Sequence, residues 1–248
     1  MNIIRYFLNL IINFFSLQNR FGSRQKVGKI VYRQTNNKYL KTVFENDNII
    51  KLIKLYQESQ IEHKRNNRLT AEIGSAREKD LVAYMKYILN DNIDYNINNE
   101  HEEDVILDTT KISIKHSSAK TLSSASIKVL WTENKEKQKK FLNDFKFRCD
   151  ILIIYVRFDE SAAGNGEIEI LYNTQTTMNK IMESFKDKGV DVFKTRENSN
   201  GRGIEFSTIF FKSMVNECDY HLKLKFNDLI STTKYGCIER RINRCNER

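Results

Sequence analysis

Proline is missing from all 248 residues, tryptophan occurs once and glycine nine times. Without proline, no Pro-rich linker divides the chain, and domain limits must be read from pattern alone. The same absence, beside abundant Asn, Ile and Lys, matches the composition of an AT-rich genome, so composition alone says little about role. The four cysteines, Cys149, Cys218, Cys237 and Cys245, form no Cys-x-x-Cys pair. A disulfide framework or zinc ribbon is therefore not indicated. Cys218 with His221, and Cys237 with Cys245, offer possible ligands at a spacing too irregular to mark a zinc site. Reduced thiols in a cytoplasmic protein are the simplest account, with Cys149 in the core at the head of an apolar strand. No Gly-rich phosphate loop, internal repeat, heptad seam or Ser-His-Asp signature is present, so the chemistries those patterns carry find no support.

A bilayer-spanning run is also lacking. Met1 to Phe15 is strongly apolar, but Asn2, Arg5, Asn9 and Asn13 fall three or four apart on one side of a helix. The stretch has no separate charged region or A-x-A cleavage pattern and is too short to cross a membrane. It reads as a helix packing on the core or on a second subunit, with membrane association as the alternative. Acidic residues are outnumbered, 32 against 41 Lys and Arg, giving a net charge of +9. That balance favours a polyanionic partner and equally suits an ordinary basic globular protein. A mass of 29.3 kDa allows one large domain or two small ones with a sizeable core.

The most informative stretch runs from Glu103 to Ser118, EDVILDTTKISIKHSS. It reads as two short apolar strands joined by a tight turn at Asp108-Thr109-Thr110. Side chains alternate along a strand, so Ser113 and Lys115 share one face while Ile112 and Ile114 pack on the other. Asp104, at the mouth of the first strand, then lies beside Lys115. A carboxylate that holds a divalent cation beside a lysine that orients a water is the minimum equipment for metal-assisted phosphodiester hydrolysis. The same pair also suits a surface ion pair on a hairpin. His116 faces away from Lys115 and is expected to be packed or hydrogen-bonded there.

Before the hairpin, Leu81, Tyr84, Met85, Ile88 and Leu89 recur at helical spacing. Ser75 and Glu78 form a capping-box pattern that would start this helix at Ser75. Glu78 therefore has two readings, a helix-capping partner or an acid completing a metal shell. A polar turn, Asn90 to Asn92, follows. Further upstream, Ile49, Ile50, Leu52, Ile53 and Tyr56 mark another amphipathic helix within Phe44 to Gln60. The polar run Glu62 to Arg68 after it reads as a connector or a DNA-contacting loop. After the hairpin, Ser117 to Ser126 is rich in small hydroxyl residues around Lys120, and Ile127 to Trp131, with Lys128, resumes a strand pattern. Such a segment suits phosphate contact or a solvated loop. Thr132 caps a basic helix reaching Phe145, and Arg148 to Tyr155 has the continuous apolar run of a buried central strand.

Asp104 on a hairpin, followed by x-x-Lys ending at Lys115, resembles the PD-(D/E)XK nuclease core of type II restriction endonucleases. Within that class, the run from the hairpin through the basic helix to RGIEF is similar to ThaI-like enzymes. The resemblance implies a mixed β-sheet core flanked by helices, an α/β fold, preceded here by an N-terminal helical segment. It implies Mg²⁺ as cofactor, double-stranded DNA as substrate, a homodimer, and a DNA methyltransferase of the same specificity as genetic partner. It maps Asp104 to the metal-binding acid and Lys115 to the catalytic lysine, with Glu78 as an acid near the metal. Ser113 stands where the family has Glu or Asp, and serine is a poor ligand for a hard cation.

The carboxy-terminal third adds a strand over Glu167 to Tyr172 and a helix over Met178 to Phe185. In the run Lys194 to Phe206, Arg196, Asn198, Asn200 and Arg202 are side chains able to read guanine and adenine edges, and they equally suit a turn. Arg240, Arg241, Arg244 and Arg248 give the tail a basic end. The expected organisation is a helical segment over 1–68 packing on a catalytic core at 69–175, with a DNA-contacting α/β extension at 176–248, all integrated as one unit. A structure-selective or repair nuclease on the same core, and a non-catalytic basic nucleic-acid-binding protein, are the alternative functions.

Overall fold

The computed structural model describes residues 26–66, 70–89, 93–95, 103–117, 122, 127–130, 132, 134–159, 164–195 and 203–227. Among these residues, seven strands form one mixed sheet. In sequence they are β1 (Lys26–Arg33), β2 (Ile93–Tyr95), β3 (Val105–Leu107), β4 (Thr110–Ser117), β6 (Asp150–Phe158), β7 (Gly166–Asn173) and β10 (Tyr220–Asn227). In space the order is β1-β10-β7-β6-β4-β3-β2, and only the β4–β6 pair is parallel. A second, three-stranded sheet comprises β5 (Lys128–Leu130), β9 (Ile204–Phe206) and β8 (Phe193–Thr195). The mixed sheet flanked by helices is the α/β fold expected from sequence.

Each face of the large sheet carries its own core. On one side pack α1 (Lys38–Phe44), α2 (Asn46–Arg65) and α3 (Thr70–Leu89), burying Leu40, Ile53, Leu81 and Met85 against Ile112, Ile114, Leu152 and Ile170. On the other pack α5 (Gln175–Asp187), α6 (Thr208–Glu217) and β9, placing Met178, Ile181, Phe210 and Phe206 over Ile151, Ile153 and Leu171. The strand β6 contributes to both cores, which explains its unbroken apolar sequence. The exposed helix α4 (Lys135–Asp144) joins β5 to β6.

Several boundaries differ from the sequence reading. α3 begins at Thr70, so Ser75 lies inside the helix and does not cap it; the additional first turn places the capping-box pattern mid-helix, where the backbone is already bonded. The cap of α4 is Asn134, whose side chain accepts from Lys137 N at 3.0 Å, while the Thr132 hydroxyl accepts from Asn134 N at 3.2 Å. Glu62 to Arg65 continue α2 instead of forming a loop, and His63 is buried with Nδ1 2.8 Å from the Ser59 carbonyl. The segment before residue 69 also supplies an edge strand, β1, which the weak two-residue alternation of KVGKIVYR concealed. The expected helix at Met1 to Phe15, the Asn90 to Asn92 turn and the arginine-rich tail lie outside the described residues. Cys149 and Cys218 are buried free thiols, and the Cys218 thiol donates to the Val215 carbonyl.

Gly166 opens β7 where a side chain has no room. A Cβ there would press on the Arg157 carbonyl and lie 2.7 Å from the Phe226 ring. Because one obstacle is backbone, Gly166→Ala should destabilise the fold by about 1–3 kcal/mol. Thermal unfolding should register a fall of roughly 2–12 °C, and an unchanged midpoint would refute this packing.

Candidate active site

The hairpin of β3 and β4 closes through Asp108 and Thr109, with Leu107 opposite Thr110. Asp108 takes φ 53°, a left-handed conformation that aspartate tolerates better than most residues. Its carboxylate accepts from the Tyr39 hydroxyl at 2.5 Å, tying the turn to α1. Pairing is short: the last rung is Asp104 N donating to the Ile112 carbonyl at 2.9 Å. Beyond it β4 continues to Ser117, and among the described residues no strand pairs that edge.

Backbone N–H groups at this edge still require acceptors. The first is met by Asp104, whose Oδ2 accepts from Ile114 N at 2.5 Å. The next, His116 N–H, donates to the Glu78 carboxylate arriving from α3. The fork where β3 ends thus brings two carboxylates alongside one strand. Asp104 Oδ2 also accepts from the Ser113 hydroxyl at 3.3 Å and lies 3.8 Å from Lys115 Nζ. All of these contacts fall on Oδ2, which leaves Oδ1 open among the described residues. Lys115 and Asp104 are each about one-third exposed, at 32% and 35% of their side-chain surface, so the group opens to solvent. Ser113 is buried.

Glu78 sits in a mixed field. Its carboxyl is pushed up to about 7, chiefly by burial and further by Asp104, against the opposing pull of Lys115 and the His116 amide. Behind the site, His116 lies on the opposite face from Lys115, as alternation requires, and its Nε2 is 2.8 Å from the Tyr56 hydroxyl of α2. Burial, with the Arg77 and Lys115 cations, drives its imidazole down to about 3, so it is neutral at physiological pH. It is a packed, hydrogen-bonded side chain.

Glu78 of α3 is therefore brought together with Asp104, Ser113 and Lys115 of the hairpin. Lys128 is not part of this group; it is half-buried on the small sheet, opposite Glu205. Lys120, Arg196, Asn198, Asn200 and Arg202 lie outside the described residues. Sequence reasoning missed the two β4 amides and Tyr56: backbone groups leave no residue signature, and a tyrosine on an apolar helix face reads as core.

Among the described residues, no cluster of three or more His, Cys, Asp or Glu forms a metal cage. Mg²⁺ does not need one, since it commonly uses one or two carboxylates with waters and substrate phosphates completing its shell. An all-oxygen donor set of Asp104 and Glu78, two like charges held close enough to raise the proton affinity of Glu78, fits such an ion.

A family model of the restriction endonuclease ThaI matches residues 42–247. The chain belongs to that restriction endonuclease family. A solved structure described as a restriction endonuclease in complex with substrate DNA is also similar, at 22% identity over 85% of this chain and 100% of the other, with a TM-score of 0.59. At that identity the likeness concerns the fold. No curated protein matches. In this ThaI-family chain, the matched span contains the whole β3–β4 fork and the α3 acid facing it. No helix among its described residues is long and apolar enough to cross a membrane.

The raised Glu78 has a measurable consequence without metal. Its carboxyl ionises near 7 in the folded chain and near 4.5 in the unfolded one, so stability must fall as pH rises between those values. Glu78→Gln removes the charge and should exceed the parent in stability by roughly 1–3 kcal/mol at about pH 8, while matching it at about pH 4. Urea titrations in chelator at both pH values test this, and a parent equal to Glu78→Gln at the higher pH would contradict it.

Proposed function

We propose that this chain is a type II restriction endonuclease that cuts double-stranded DNA at a specific short sequence in a Mg²⁺-dependent reaction. The observation that carries this reading is the meeting of Glu78 from α3 with Asp104 and Lys115 from the β3–β4 fork. Family membership supports cleavage of DNA; the metal, the specificity and the residue roles are inferred from chemistry. Asp104 and Glu78 would hold the ion, with Ser113 keeping the Asp104 carboxylate oriented through its hydroxyl. When bound, Mg²⁺ supplies Lewis acidity, polarising phosphate oxygens and making a water more acidic.

The chain's own groups do the positioning. Lys115 extends its ammonium beside Asp104 and orients the attacking water in line with the scissile phosphorus. A P–O bond to water forms as the bond to one sugar oxygen breaks, leaving a phosphate monoester and a hydroxyl. Lys120, Lys128, Arg196, Asn198, Asn200 and Arg202 are proposed DNA contacts, the last four as base readers. Two copies would present one site to each strand, and a methyltransferase of the same specificity would protect the host's DNA.

Asp104→Asn preserves shape and can still accept from Ile114 N, yet it should lower cleavage by about 10³-fold or more because a ligand charge is lost. Lys115→Ala should be nearly as inactive, Glu78→Ala intermediate or severe, and Ser113→Ala mild. Thermal unfolding of each variant separates lost chemistry from lost fold. Parent-like cutting by Asp104→Asn would refute the site.

Incubated with Mg²⁺, the purified protein should convert a long duplex into discrete bands, and EDTA should stop the reaction. A uniform smear would point to a non-specific or structure-selective nuclease. No cutting with any divalent ion would leave a DNA-binding protein.

A further inference from the structure

The helix α4 buries none of its residues, although in the chain it links the small sheet, through β5, to the central strand β6 of the large one. An aromatic seam joins it to the small sheet: the Phe141 ring lies 5.7 Å from Phe193, and Phe145, just past the helix, lies 5.0 Å from Phe193 and 4.8 Å from Phe147. The outer surface is occupied by Lys135, Lys137, Lys139 and Lys140, all exposed. Residues 135–148 hold six basic side chains against two acidic ones, a net +4 of the chain's +9. Lysines at i,i+4 (Lys135 and Lys139) and i,i+3 (Lys137 and Lys140) repel one another and weaken the helix. Some lysines of this chain are paired with acids, Lys111 with Glu103, Lys194 with Glu205, and Lys223 with Glu167 and Glu169. Among the described residues none of the four on α4 has such a partner.

Their placement is also informative. In the parallel β4–β6 register Ser113 is opposite Ile151 and Lys115 opposite Ile153, so all four side chains leave the same face of the large sheet. Ile151 and Ile153 belong to the core that also contains Phe147 and Phe206, the core to which the α4 seam is attached. The basic helix therefore stands on the face from which Lys115 projects. α1, α2 and α3 cover the other.

We propose that α4 grips the phosphate backbone of double-stranded DNA beside the Glu78–Asp104–Lys115 site, with Lys135, Lys137, Lys139 and Lys140 as its phosphate contacts. The proposal rests on the nuclease reading above. Lysine binds phosphate as a compact charge on a flexible stem, without the planar fork that reads guanine edges. α4 accordingly contributes affinity and register, and sequence is read elsewhere.

The test is equilibrium binding of fluorescent duplexes to the full chain in EDTA, from about 50 to about 200 mM salt. The Lys135→Ala, Lys137→Ala, Lys139→Ala, Lys140→Ala quadruple variant should show a slope of log K against log salt shallower by about 3–4, and weaker binding to duplexes of every sequence. Alanine is the strongest helix former, so α4 is retained. The matching quadruple change to arginine keeps every charge and should restore the parent slope. Lys41→Ala with Lys51→Ala, on the helices of the opposite face, should leave it unchanged. A parent slope in the alanine quadruple, or an equal loss in the arginine one, overturns the role of α4 while the nuclease reading stands. A parent that binds no duplex overturns both.

Discussion

The site depends on unpaired backbone. β3 is only three residues long, β4 is eight, and the amides of Ile114 and His116 would be left without acceptors on the side where β3 ends. An unsatisfied buried amide costs on the order of 1–3 kcal/mol, so the edge has to be finished by something. It is finished by carboxylates: Asp104 turns back onto Ile114 N–H, and Glu78 reaches from α3 to His116 N–H. The requirement that completes the sheet is what places two negative charges within reach of Lys115. Structure and chemistry share the same atoms here.

That sharing explains how rigidly the group is held. Asp104 is fixed by its own N–H to Ile112 and by its Oδ2 contacts, while Glu78 is carried by a helix whose Leu81, Tyr84 and Met85 are buried in the first core. From below, the Tyr56 hydroxyl on His116 fixes β4 against α2 at the residue whose amide Glu78 uses. Every member is thus on or next to a regular element, where positions are held more closely than on a loop.

Much of this was legible in the sequence, and the reasons differ by element. The hairpin showed itself by two-residue alternation around a polar turn, and β6 by an apolar run that burial on both faces demands. The proximity of Asp104 to Lys115 followed from strand geometry. Glu78 was legible as a residue but ambiguous, because Ser75 three positions before it imitates a cap; only the helix's true start at Thr70 removes that reading. The strand β1 was hidden because its partner, β10, is almost the whole chain away, and KVGKIVYR alone alternates too weakly. The edge amides were illegible in principle, since every residue but proline has one.

The pairing of β1 with β10 also orders events in time. Lys26 meets Asn227 and Lys29 meets Leu224, so the first of the described strands to leave the ribosome waits for the last of them before it gains a neighbour. Closing so long a loop adds little to the equilibrium cost, because that cost grows only with the logarithm of length, but contacts distant in sequence form slowly. Throughout synthesis β1, with Ile30 and Tyr32 among its side chains, is a free strand, and β7 is an open edge until β10 arrives. The growing chain is consequently most open to strand-to-strand association with other chains before residue 227 emerges, because the large sheet cannot close until then.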